Sequence, residues 1–148
     1  MSEEQESAVP CGIYCPIIAF YNNDDKQDLD LARQTEHVKF LLDAGIHGLV
    51  VHGTTGESVL LSTEERNTLT KLVSKLRDEG NKPTPVVVGC SAQSTRETLK
   101  MCTDAHANGG DFALVLPPFF WVKAATPAMI ESFYTEVRLQ PIGRRTVD

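Results

Sequence analysis

Four short apolar runs punctuate the chain: Gly12–Ala19 (GIYCPIIA), Gly48–His52 (GLVVH), Pro85–Cys90 (PVVVGC) and Phe112–Leu116 (FALVL). Each is apolar or β-branched almost throughout, and none alternates apolar with polar, which is the pattern of strands covered on both faces. Segments of helical spacing follow them. A first helix is expected over 29–44, where Leu31, Thr35, Val38 and Leu42 form one stripe and Gly45 stands as the terminating glycine. Ser62 with Glu65 three residues on is a capping box, and Leu69, Leu72, Val73 and Leu76 give the helix it opens an apolar face as far as Gly80. Ser94 and Glu97 repeat the device for a third helix, ending at Asn108-Gly109-Gly110. Thr126-Pro127 opens a fourth, with Ile130, Phe133, Tyr134 and Val137 along one side.

Four strand–helix units in succession predict an α/β fold with a parallel sheet and right-handed crossovers. Periodicity does not separate a doubly wound sheet from an arc of a (βα)₈ barrel. No G-x-G-x-x-G follows the first strand and no P-loop is present, which lowers the case for a dinucleotide or a nucleoside triphosphate.

Composition narrows the classes. A length of 148 residues with 41% hydrophobic and 23% charged content suits one soluble domain with a real core. The net charge of −6 argues against a nucleic-acid binder, which would carry a basic face. No apolar run approaches the roughly 20 residues that cross a bilayer, so no membrane partner is expected. The opening MSEEQESAVP is too acidic for a secretory or transit signal, and residues 1–11 read as a disordered lead. Cys11, Cys15, Cys90 and Cys102 form no C-x-x-C and have no histidine at zinc-finger spacing, so no metal is expected. Cys90 and Cys102 fall at core positions, and free thiols fit a reducing cytoplasm.

The loop HGTTGES follows the second strand, and in parallel α/β folds ligands gather at the carboxyl ends of strands. Gly53 and Gly56 permit tight turning, while Thr54 and Thr55 bring two hydroxyls and consecutive N–H groups, donors suited to a carboxylate or another small anion. The loop holds no Lys or Arg, which disfavours a polyphosphate. Turn chemistry alone also accounts for glycine and threonine here.

Gly48 through Glu65, GLVVHGTTGESVLLSTEE, resembles the signature of the dihydrodipicolinate synthase / N-acetylneuraminate lyase family: glycine, apolar positions, G-[ST]-[TC]-G-E, and an acidic residue eight places on. GIYCPIIAFYNND resembles that family's first strand and LVLPPFFW its fourth strand and turn, so the likeness covers residues 12–137. The resemblance implies the N-terminal half of a (βα)₈ barrel and class I aldolase chemistry without a cofactor, in which a lysine forms a Schiff base with pyruvate or another 2-oxo acid. It implies that Thr54 and Thr55, with Gly53 and Gly56, hold the carboxylate of that acid.

Two departures qualify this. The family's synthases carry a tyrosine pair after the fourth strand, whereas this turn reads Pro117-Pro118-Phe119-Phe120, so Phe120 replaces a tyrosine and no hydroxyl relay through Thr54 can run over its ring. That favours an aldolase acting on 2-keto-3-deoxy sugar acids or 4-hydroxy-2-oxoglutarate over dihydrodipicolinate synthase. Second, the family's tyrosine on the fifth strand and lysine on the sixth have no counterpart, because residues 138–148 (RLQPIGRRTVD) form a divergent tail without strand character. Among the seven lysines, Lys123 alone follows a strand's carboxyl end, with apolar flanks Val122 and Ala124 that would favour a lowered pKa. His52 is expected as a polar wall at the barrel mouth. The chain is therefore expected to be a truncated product, inactive alone, that self-associates through exposed sheet edges. A non-catalytic 2-oxo-acid-binding or subunit-interaction protein is the alternative.

Overall fold

The computed structural model describes residues 9–139. The lead up to residue 8 and the divergent tail from residue 140 lie outside them. Strands β1 (Tyr14–Pro16), β2 (Gly48–Val51), β3 (Val86–Gly89) and β4 (Phe112–Leu114) form one sheet in the order β1-β2-β3-β4, with every pair parallel. Helices α1 (Leu31–Asp43), α2 (Thr63–Asp78), α3 (Thr95–Ala107) and α4 (Pro127–Leu139) alternate with them. A doubly wound sheet reverses its strand order at a switch point. Here each strand lies beside its sequence neighbour throughout, and the sheet is an arc of a barrel.

The strands are shorter than the apolar runs that predict them, because the ladder stops before the hydrophobicity does. Just past β1, Ile17 N still donates to Val50 O at 3.0 Å, and Ile17 and Ala19 pack in or against the core. Along β2 and β3, Leu49, Val51, Val86 and Val88 point to the helices and join Val38, Leu69, Val73, Leu76 and Cys102 in a single buried cluster. The opposite row, Pro16, Val50, Val87 and Phe112, lies on the inner face of the arc.

Two helix details differ from the sequence reading. The buried stripe of α1 is Gln34, Val38 and Leu41, whereas Leu31 is exposed and Asp30, whose carboxylate accepts from Arg33 N, caps the helix. Inside, the Gln34 Oε1 accepts from Phe20 N at 3.3 Å, while its buried Nε2 has no partner among the described residues. The box at α2 is complete, with Ser62 Oγ accepting from Glu65 N and Glu65 Oε2 accepting from Ser62 N at 2.7 Å. At α3 only the forward half exists, Ser94 Oγ accepting from Glu97 N at 3.3 Å. Among the described residues no helix is long and apolar enough to cross a membrane.

Candidate functional site

The chain reverses as it leaves β2. His52 takes a left-handed backbone (φ 61°), and after Gly53-Thr54-Thr55-Gly56 so does Glu57 (φ 49°), before a 3₁₀ turn over Ser58–Leu60 leads into α2. Gly56 N donates to Gly53 O at 3.2 Å and Glu57 N to Thr54 O at 3.1 Å, closing the loop on itself. Gly56 is buried beneath it, where a Cβ would lie 2.8 Å from the Ile17 carbonyl oxygen. Thr54 and Thr55 are exposed, and among the described residues their hydroxyls and N–H groups have no partner. Four donors thus face solvent at the carboxyl end of the sheet.

The loop is anchored by Arg66, which sequence reading passed over. Its guanidinium donates to the carbonyls of Ser58 (3.4 Å) and Gly89, tying the loop to the end of β3. Burial lowers the pKa of this guanidinium. A signal was present: Arg66 stands three residues before Leu69 and seven before Val73, in register with the buried stripe of α2.

His52 does not line the barrel mouth. Its reversed backbone sends the ring to the helix side, where it is 4% exposed and Nε2 lies 2.9 Å from both the Arg66 carbonyl and the Thr70 hydroxyl. A carbonyl only accepts, so Nε2 carries the proton. Burial first, then the Arg66 charge, lowers the His52 pKa to about 3, and the ring is neutral at physiological pH. The same ring lines a cavity of about 20 Å³ with Arg66, Thr70, Glu97 and Asp104. That space suits one water molecule, and it lies between α2 and α3, not at the mouth.

At the neighbouring mouth position the turn after β4 is pinned by side chains from the loop after β3. Gln93 Oε1 accepts from Phe119 N (3.0 Å) and Phe120 N (2.8 Å), and Ser91 Oγ accepts from Leu116 N (2.8 Å). Phe120 is 72% exposed and meets Trp121 edge-on, with ring centroids 5.0 Å apart. Lys123 is exposed, without the apolar cover that its flanks suggested. Cys90 and Cys102 are free and buried, and the adjoining Cys102 thiol together with burial pushes the Cys90 thiol up. No group of His, Cys, Asp and Glu among the described residues could hold a metal ion.

Comparison with known proteins gives a consistent picture. The family model described as "Dihydrodipicolinate synthetase family" matches residues 10–140. The Emericella nidulans protein named "Probable 4-hydroxy-2-oxoglutarate aldolase, mitochondrial" is 39% identical over 133 residues, which is 88% of this chain and 42% of the relative. The L-threo-3-deoxy-hexylosonate aldolase of Hypocrea jecorina is 34% identical over 131 residues, 88% of this chain and 41% of the relative. Among solved structures, YagE, a prophage protein of E. coli K12 in the dihydrodipicolinic acid synthase family crystallised with pyruvate, superposes with a TM-score of 0.77 at 25% identity, over 88% of this chain and 41% of that one. The chain spans about two-fifths of the length of the curated relatives it matches.

Proposed function

The chain belongs to the dihydrodipicolinate synthetase family, as the N-terminal half of its (βα)₈ barrel, and we propose that its threonine loop binds the carboxylate of pyruvate or a related 2-oxo acid. The observation that carries this reading is the set of unspent donors on Thr54 and Thr55 at the carboxyl end of β2. Barrels of this kind bind ligands at that end. A loop without cations matches one carboxylate better than a phosphate cluster.

The parent activity is that of a carbon–carbon lyase acting on 2-keto-3-deoxy sugar acids or 4-hydroxy-2-oxoglutarate, in keeping with the names of the two aldolase relatives. In such chemistry a neutral lysine amine adds to the keto carbon and water leaves. The resulting iminium ion accepts the electron pair of the breaking C–C bond. Phe120, a ring without an exchangeable proton, disfavours the synthase alternative. On this reading the residues present bind and orient the 2-oxo acid, and none of the seven lysines acts as the nucleophile. Borohydride reduction with pyruvate should therefore leave the mass of the 148-residue polypeptide unchanged, and an adduct at Lys123 would overturn this. Replacing Thr54 and Thr55 by valine should weaken pyruvate binding, followed by NMR titration, roughly tenfold or more, as expected for lost bonds to a charged acceptor; unchanged binding would remove the assigned ligand.

Self-association of the chain is part of the same proposal, and the exposed turn from Phe119 to Val122 favours it. Light scattering of the purified chain tests this. The free cysteines suit a cytoplasmic setting. Subcellular fractionation tests that placement against the mitochondrial location in the name of the Emericella relative.

A further inference from the structure

The threonine loop is shaped by its own bonds but not held by them. Gly56 N and Glu57 N close on Gly53 O and Thr54 O, and among the described residues no hydrogen bond joins residues 53–56 to anything beyond Glu57. The bounding residues, His52 (φ 61°) and Glu57 (φ 49°), both keep a left-handed backbone, which in a residue other than glycine persists only where the surroundings impose it. The four donors of Thr54 and Thr55 therefore take their positions from what fixes the two ends of the loop. We propose that one residue fixes both: Arg66 is the positioning residue of the carboxylate site, its main-chain carbonyl holding the loop entry through His52 and its guanidinium holding the exit through Ser58. This deepens the carboxylate reading of the loop and rests on it.

The entry bond runs from His52 Nε2–H to the Arg66 carbonyl at 2.9 Å, with the Thr70 hydroxyl at the same distance from Nε2. The exit bond runs from the Arg66 guanidinium to the Ser58 carbonyl at 3.4 Å, and a second guanidinium nitrogen donates to the Gly89 carbonyl at the end of β3. Arg66 is itself set in the first turns of α2, where its N–H donates to Ser62 O at 3.0 Å behind the complete capping box of Ser62 and Glu65. Both ends of the loop and the neighbouring strand are thereby referred to one point on a capped helix. The rigid planar fork of an arginine suits this task, because its separate donors reach carbonyls on two different segments at once.

Stability alone is a poor reason for the arrangement. Arg66 is half-buried, and among the described residues no carboxylate pairs with it. A guanidinium drawn inside for neutral acceptors recovers little net stability after its desolvation. Geometry is the larger gain. Thr54 and Thr55 are exposed, and donors fixed before the ligand arrives avoid the ordering cost that a loose loop would meet on binding.

Pyruvate titration followed by NMR tests the assignment, together with backbone order parameters of residues 53–57 in the ligand-free chain and far-UV circular dichroism to confirm that each variant is folded. Arg66→Met keeps the bulk of the stem without its donors; it should weaken pyruvate binding roughly tenfold and lower the order parameters of the loop. Val73→Ala, at a fully buried position farther along α2, should lower the thermal midpoint at least as much yet hold the affinity within about twofold. Should Arg66→Met not fold, Arg66→Lys takes its place with the same readouts and an expected loss of roughly threefold, because an ammonium lacks the fork that spans both carbonyls. Wild-type affinity and wild-type loop order in the Arg66 variant, or an equal loss of affinity in Val73→Ala, would overturn the positioning role. A wild-type chain that binds no pyruvate would overturn the carboxylate reading. The order parameters then judge Arg66 by themselves: a loop loosened by Arg66→Met but not by Val73→Ala upholds its hold on both ends, and a loop equally ordered in the two variants overturns it.

Discussion

Gly89 is the residue on which the loop and the sheet depend most directly. It ends β3 where that strand passes the backbone of His52, and a Cβ built on it would overlap the His52 carbonyl, which cannot swing aside as a side chain would. For Gly89→Ala two effects compete. Alanine restricts the unfolded chain and by itself would stabilise by roughly 0.4–1 kcal/mol. Overpacking against fixed atoms costs roughly 1–3 kcal/mol. The clash wins, and a net loss of about 1–2 kcal/mol is expected, with the Arg66 bond to the Gly89 carbonyl displaced as the strands part. Gly53→Ala is the control. A Cβ there meets only Val50 Cγ1 at 3.9 Å, an ordinary contact, and the change should stay within about 0.5 kcal/mol. Urea unfolding followed by circular dichroism, at one protein concentration so that association contributes equally, should move the Gly89→Ala midpoint down by about 1 M. A midpoint at or above wild type, or an equal fall for Gly53→Ala, would refute the steric reasoning.

Stability should also depend on pH through His52. Its pKa is about 3 folded against 6.5 unfolded, so between those values only the unfolded chain binds the proton and stability falls as pH drops, by up to about 1.4 kcal/mol per pH unit. In His52→Gln that share of the slope should vanish when urea curves at neutral and mildly acidic pH are compared; an unchanged slope would show that the ring is not buried neutral. The two caps should separate as well. Glu65→Ala should cost about 1 kcal/mol more than Glu97→Ala, because only Glu65 returns a bond to its capping residue; equal thermal shifts would contradict this.

The elements themselves were legible in the sequence because their causes are local. Unbroken apolar runs give two-sided strands, a serine three residues before a glutamate gives a helix start, and apolar positions at 3.6 spacing place Leu69, Val73 and Leu76 inside. The G-T-T-G-E loop was legible for the same reason, since a strand end followed by glycines and hydroxyls is a local statement.

What the tertiary structure alone decided depends on partners distant along the chain. Gln34, Arg66 and Arg77 lie inside or partly so, and only the fold shows what they meet there: Phe20 N, the Gly89 carbonyl and Asp111. His52 could be assigned to the mouth until its left-handed backbone turned the ring to α2. Strand order is likewise invisible to hydrophobic periodicity, which is the same for a doubly wound sheet and a barrel arc; only the pairing of β1 through β4 in sequence order separates them. Hydrophobic spacing fixes which face of an element is buried, and long-range contacts fix what it is buried against.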